Sequence, residues 1–288
     1  MNRQTRAVRF DRYGGRDVLY VTEVLVPDPG PGEVVVEVRA AAINPFDTMI
    51  RSGVIRELFP ATFPSGQGSD LAGVVVAAGA GVEWPAVGDE VLGWTPGPSA
   101  QATHVTVPAA QLVAKPSQLS WEAAGSLHMV GSTAYAAIRA VAPQPGETVA
   151  VSAAAGGVGT FLVQMLAAQG VRVLGIASSA NTEWLEKHGV VPVPYGDGLR
   201  EQLQQAAGAD GVDAFIDLYG PEYLDLAVAL GVPPERIQTT VAMERAGRPH
   251  RGSPQCDREG DPGGTGRPGR LGRRRDSYRC HVPALPRR

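Results

Sequence analysis

The sequence predicts a two-part α/β protein, in which a barrel of short antiparallel strands precedes a doubly wound parallel sheet. Three observations carry that expectation. Short apolar and β-branched runs bounded by Gly, Pro or Asp fill the chain up to about Val113. From Thr148 onward apolar strands alternate with helical stretches, the pattern of a parallel sheet covered by helices. Residues 148–170 read as a strand, a glycine-rich turn and a helix.

The strands come first. Val34-Val35-Val36-Glu37-Val38, 71–77, 90–94 and 104–107 are each β-branched or alternating. Pro27-Asp28-Pro29-Gly30-Pro31-Gly32 and Gly88-Asp89-Glu90 mark turns. An all-β first domain over 1–118 follows. After Lys115-Pro116, Ser120 stands where an N-cap belongs, ahead of the alanine-rich stretch Trp121-Glu122-Ala123-Ala124. The second domain, 119–243, is expected to run through alternating elements at 148–153, 159–169, 171–177, 182–188, 199–207, 214–218 and 223–230.

Composition narrows the classes of function. A chain of 288 residues with 43% hydrophobic content can build two cores. It has no apolar run of about 18 residues, and its first ten residues hold three arginines but no apolar stretch, so a cytoplasmic protein without membrane partners is expected. Cys256 and Cys280 are the only cysteines, and the five histidines show no ligand spacing. A disulfide framework and a metal site are both unexpected.

Charge is split. Residues 1–243 carry 14 basic and 24 acidic side chains, whereas 244–288 carry 12 and 5. The segment 244–288 also holds 8 Gly and 6 Pro, with apolar residues appearing singly, so it is expected to be a disordered tail. An arginine-rich arm for nucleic acid is the competing reading, but no aromatic series accompanies the arginines and no specific nucleic-acid partner is expected. The abrupt change of composition at Glu244 resembles a GC-rich gene read in the wrong frame, so a frameshifted or truncated reading is expected.

The central motif is the turn after the strand at 148. In Ser152-Ala153-Ala154-Ala155-Gly156-Gly157-Val158-Gly159 a buried-type strand leads into glycines, and Phe161, Leu162, Met165 and Leu166 then repeat at helical spacing. Gly170 falls at the C′ position. Glycines let backbone N–H groups approach a pyrophosphate, and the helix N-terminus adds unsatisfied donors and a positive partial charge. Ala155, Gly156, Gly157, Val158 and Gly159 are therefore the expected cofactor contacts. By spacing, Ala154 replaces the first glycine of G-x-G-x-x-G, and Ala153-x-x-Gly156-x-x-Gly159 is the pattern present.

That turn, following an alanine- and glycine-rich helix, resembles the medium-chain dehydrogenase/reductase superfamily in its zinc-independent, zeta-crystallin-like quinone oxidoreductase branch. The resemblance covers roughly residues 7–241. It includes Ala41-Ala42-Ile43-Asn44-Pro45-Phe46-Asp47 with Arg51-Ser52-Gly53, Gly68-Ser69-Asp70-Leu71-Ala72-Gly73-Val74-Val75, Val87-Gly88-Asp89-Glu90-Val91 and Gly131-Ser132-Thr133-Ala134-Tyr135.

The resemblance implies a GroES-like substrate domain, a Rossmann domain and reduction of quinone or α,β-unsaturated carbonyl substrates by hydride transfer from NADP(H) without zinc. A homodimer along the Rossmann sheet is also implied. It assigns Asn44 and Asp47 to the acceptor side, Thr133 to the nicotinamide and Tyr195 to the adenosine ribose phosphate. Asn44 could donate to the acceptor carbonyl as charge develops there. Asn44-Pro45 is equally a turn dipeptide and Asp47 equally a helix cap. Where zinc-dependent relatives carry ligands, this chain has Asp47. Family members continue beyond the last Rossmann strands into strands that close the first domain, which 244–288 does not resemble, so an impaired NADP(H)-binding remnant is the alternative function.

The cofactor form is read from the second strand, which ends Ala177-Ser178-Ser179-Ala180-Asn181 with no carboxylate before Glu183. NAD-specific sites place Asp or Glu there for the ribose 2′-hydroxyl. Ser178 and Ser179 could instead donate to a 2′-phosphate, and NADP(H) is expected. The family's cation at this loop is matched by Asn181, and the same residues would serve as an ordinary helix cap.

Overall fold

Residues 3–26 and 28–241 are described in a computed structural model, so Pro27 of the expected first turn and the expected tail 244–288 lie outside the described residues. The chain divides into two compact units between Thr133 and Ala134. The expected boundary at 118/119 falls just ahead of the helices that precede this division.

The first unit is built from antiparallel strands. Its elements are β1 (Arg3–Phe10), β2 (Tyr20–Val26), β3 (Glu33–Ala41), α1 (Pro45–Ser52), β4 (Ser65–Gly66), β5 (Asp70–Ala78), β6 (Glu90–Trp94), β7 (His104–Pro108), β8 (Leu112–Ala114), α2 (Trp121–Gly125) and the start of α3 (Leu127–Val141). One sheet has the order β2-β1-β4 and the other β7-β3-β5-β6-β8. Alternation sends Val34, Val36, Leu71, Val75, Val91, Val105 and Val107 into one cluster, which is why these runs form strands. Ser120 caps α2 as the sequence suggests, its hydroxyl accepting the Ala123 N–H at 3.2 Å.

The second unit continues α3 from Ala134 and alternates strand and helix. Its elements are β9 (Thr148–Val151), α4 (Gly157–Ala168), β10 (Arg172–Ala177), α5 (Thr182–Lys187), β11 (Val191–Pro194), α6 (Leu199–Ala207), β12 (Ala214–Asp217), α7 (Glu222–Ala229) and β13 (Ile237–Thr239). All five strands are parallel, in the order β11-β10-β9-β12-β13. Val149, Val151, Val173 and Ile216 pack on one face with α3, α4 and α5, while Ala150, Leu174, Ile176 and Phe215 pack on the other with α6 and α7. The sheet is thus doubly wound, and its order reverses between β9 and β12, the switch point where ligands of such folds bind.

Helix ends follow their chemistry. Gly170 takes φ 75° just past α4 and returns its N–H to Ala167 O at 3.0 Å, the C′ role expected for it. Arg172 donates to the carbonyls of Ala206 and Ala207 at the end of α6, where a cation suits the helix dipole. Strand β11 is absent from the sequence expectation. Its Val191-Pro192-Val193-Pro194 lacks the run of N–H donors that a central strand needs, and it lies at the sheet edge where Pro is tolerated. Among the described residues, no helix is long and apolar enough to cross a membrane.

Candidate cofactor-binding site

The loop after β9 is pinned on both sides. Ser152 donates its N–H to Ile216 O of β12 at 3.1 Å, and Ala154 donates its N–H to Ile176 O of β10 at 3.0 Å. Between them Ala153 takes φ 47°, a left-handed conformation that an L side chain disfavours by roughly 1–2 kcal/mol. The positive φ therefore falls on Ala153 rather than on Ala154, where the glycine fingerprint would start. Ala153 O accepts the Gly156 N–H at 2.8 Å and closes the turn into α4.

Gly159 packs against that turn so closely that a Cβ would sit 2.2 Å from Ala153 O and 2.7 Å from Ala154 O. Only glycine fits without backbone movement. The first helical acceptor is reached by Thr160, whose N–H bonds Gly156 O at 2.9 Å. The amides of Gly157, Val158 and Gly159 precede it and have no acceptor within the helix. With the helix dipole behind them, these donors suit a diphosphate. Gly156 and Gly157 are exposed and Ala155 and Val158 half-buried, so the turn is open to a ligand.

A buried carboxylate braces the same strand ends. Asp217, the last residue of β12, accepts from Ser152 Oγ at 2.7 Å, Tyr219 N at 2.9 Å, Gly220 N at 3.1 Å and Thr239 Oγ1 at 2.8 Å. Ser152 Oγ also accepts the Leu218 N–H at 2.8 Å. Neither Ser152 nor Asp217 was singled out from sequence. The available signal was an acid closing the apolar strand Ala214–Asp217.

Beside the turn, Ser178 follows β10, Ser179–Asn181 forms a short helical turn, and Asn181 is also the N-cap of α5, without a side-chain capping hydrogen bond. Asn181 Nδ2 donates to Ser178 Oγ at 2.9 Å, leaving the Ser178 hydroxyl hydrogen available. Ser179 is exposed. Tyr195 follows β11, is exposed, and ties its N–H to Ala177 O at 3.2 Å. The structure thus brings Ala155–Gly159, Ser178, Ser179, Asn181 and Tyr195 to one edge of the sheet. Thr133 is half-buried on α3, at the end of the first unit.

Asn44 and Asp47 form a second group, in the first unit. Asn44 is the N-cap of α1 in a capping-box arrangement, and Asp47 Oδ2 accepts the Asn44 N–H at 2.8 Å. Asn44 Nδ2 donates to Asp70 Oδ2 at 3.3 Å, and Met129 N donates to the same oxygen at 3.0 Å. All three side chains are buried. Burial drives the Asp70 carboxyl up to about 6 against the two hydrogen bonds, and Asp47 adds like-charge repulsion. Burial also raises Asp47, which the Asn44 N–H and Arg51 oppose. Asp47 Oδ1, Asp70 Oδ1 and Arg51 Nε are buried without hydrogen-bond partners. Asp70 belongs to the quoted Gly68-Ser69-Asp70 motif but received no role from sequence. A carboxylate opening an otherwise apolar strand was the clue.

His128 borders the second group, since it precedes Met129 and its ring meets Trp94, the cross-strand partner of Asp70. His128 stacks on Trp94 at 5.2 Å with rings 5° from parallel, and burial lowers its pKa. His104 Nδ1 is buried without a partner. Among the described residues no group of three or more His, Cys, Asp or Glu could hold a metal ion.

Residues 30–117 match the alcohol dehydrogenase GroES-like domain family. Among curated proteins, a probable quinone oxidoreductase of Schizosaccharomyces pombe is 36% identical over 222 residues, covering 75% of this chain and 65% of the relative. The enoyl reductase CurK superposes with a TM-score of 0.76 at 28% identity, covering 85% of this chain and 77% of CurK. The Escherichia coli quinone oxidoreductase, solved with NADPH, superposes with a TM-score of 0.67 at 27% identity, covering 82% and 80%. The chain spans between about half and two thirds of the length of the first curated relatives it matches.

Proposed function

Because the chain belongs to the quinone oxidoreductase branch of the medium-chain dehydrogenase/reductase superfamily, we propose that it is an NADPH-dependent reductase of quinones or α,β-unsaturated carbonyls. The observation that carries this reading is the turn Ala153–Gly159 at the switch point of the parallel sheet, with three helix-terminal amides available and no room for a Cβ at Gly159. These residues fit a dinucleotide diphosphate. The NADPH bound to the E. coli relative and the enoyl reductase activity named for CurK support the choice of cofactor and acceptor class.

When bound, the cofactor supplies the hydride. Gly157, Val158 and Gly159 hold its diphosphate through their N–H groups. Ser178 and Ser179 donate to the 2′-phosphate, with no carboxylate on that loop to repel it. By the family resemblance, Tyr195 would meet the adenosine ribose phosphate and Thr133 the nicotinamide. Asn44 gives one amide hydrogen to Asp70, and its second would be the donor for an acceptor oxygen on which negative charge develops. Asp47 holds the Asn44 backbone. Zinc is not required in this reading, since Asp47 occupies the stretch where zinc-dependent relatives carry ligands.

Fluorescence titration with NADPH and NADH, followed by nicotinamide absorbance across a panel of quinones and enones, tests it. Tighter NADPH binding with acceptor-dependent oxidation is expected. Equal affinity for the two cofactors would overturn the 2′-phosphate assignment. NADPH binding without oxidation of any acceptor would leave a nucleotide-binding protein without turnover.

A further inference from the structure

Ser152 and Asp217 lie at the switch point without being phosphate donors or acceptor contacts. Asp217 is fully buried, takes four hydrogen bonds, and has no cation beside it among the described residues. A carboxyl group buried this deeply must have its oxygens met by donors, a demand that an apolar residue would not make. Its donors come from the end of β9, the loop after β12, and β13, so one carboxylate knots three strand ends. The pivot is Ser152 Oγ, which donates to Asp217 and accepts from Leu218 N, so that its rotamer is fixed from two directions.

The residue after that pivot is Ala153, at φ 47°. An alanine keeps such a conformation only where its surroundings over-determine it. Backbone bonds from Ser152 and Ala154 supply two constraints, and the locked Ser152 side chain supplies the third. If Ala153 relaxed to negative φ, its carbonyl would leave the Gly156 N–H and the packing of Gly159 would be lost.

We propose that Asp217 and Ser152 are positioning residues for the phosphate turn: they hold Ala153 in its left-handed conformation and so keep the Gly157, Val158 and Gly159 amides aimed at the cofactor diphosphate. The proposal rests on the NADPH-binding reading above. It makes a residue on β12, 64 positions from Ala153 in sequence, a determinant of cofactor affinity.

The test combines NADPH titration with hydrogen exchange of the 153–160 amides in ligand-free protein. Wild type is compared with Ser152→Ala, Asp217→Asn, Ala153→Gly and the double variant Ser152→Ala with Ala153→Gly. Ser152→Ala and Asp217→Asn are expected to weaken NADPH binding about tenfold and to speed exchange in this segment. Adding Ala153→Gly to Ser152→Ala should recover most of both, because glycine occupies φ 47° without a Cβ penalty. Wild-type-like exchange in the single variants, or no recovery with glycine, would overturn the proposal. If Asp217→Asn fails to fold, Ser152→Ala and its double variant decide. A wild type that does not bind NADPH would remove the cofactor reading, while exchange would still show whether the clamp holds the turn.

Discussion

Asn44 Nδ2 donates to Asp70 Oδ2 across 3.3 Å, joining the N-cap of α1 to the first residue of β5. The accepting carboxyl is fully buried and its pKa is raised to about 6. Between the ordinary carboxylate range and 6, the folded protein holds a proton that the unfolded chain has released. Stability from Asp70 is therefore greatest at low pH and is lost as pH rises through 6, by on the order of 3 kcal/mol. Asp70→Asn removes this dependence. Urea unfolding between pH 4 and pH 8 should show the variant gaining on wild type as pH rises. A pH-independent difference would refute a raised Asp70.

Gly159→Ala places a Cβ against two backbone carbonyl groups of the phosphate turn, which cannot yield as a side chain would. We expect a loss of about 1–3 kcal/mol in denaturant unfolding, and no NADPH saturation over the range that saturates wild type. Gly170→Ala is the control. It costs about 1 kcal/mol through its φ of 75° and leaves cofactor titration unchanged.

Asn181→Arg supplies a cation beside Ser178. NADPH should bind several-fold more tightly and NADH unchanged, with the gain shrinking as salt is added. An equal gain for NADH would mean that the loop does not face a 2′-phosphate.

Ser120→Ala removes the α2 cap and should cost about 1 kcal/mol in thermal or urea unfolding without altering the NADPH titration.

How far these features were legible depended on their range in sequence. The alternation of Val34, Val36 and Val38, the Ser120 cap and the β9–α4 turn are local, and the sequence reading placed them within a few residues. The parallel sheet follows from alternating strands and helices. What remained hidden is long-range. Asp217 meets Ser152 over 65 positions and Asp70 meets Met129 over 59, so no spacing rule could pair them. Strand β11 has no expectation in the sequence because Pro192 and Pro194 break the pattern of a strand. The resemblance assigns Asn44 and Asp47 to the acceptor side, with a turn and a cap as the alternative; the structure makes Asn44 the N-cap of α1 with Asp47 at N3, and the Asp70 carboxylate that orients the Asn44 amide had no signal beyond an acid opening an apolar strand.

Those prolines also set the character of one rim of the second unit. Tyr195 directs its N–H inward to Ala177, and by strand alternation Val193 and Val191 do the same, while the outward positions are Pro192 and Pro194. The outer margin of β11 therefore presents carbonyl oxygens without a matching row of amide hydrogens. A strand from another chain could not complete a ladder there, so this rim resists the edge-to-edge growth by which exposed sheets polymerise.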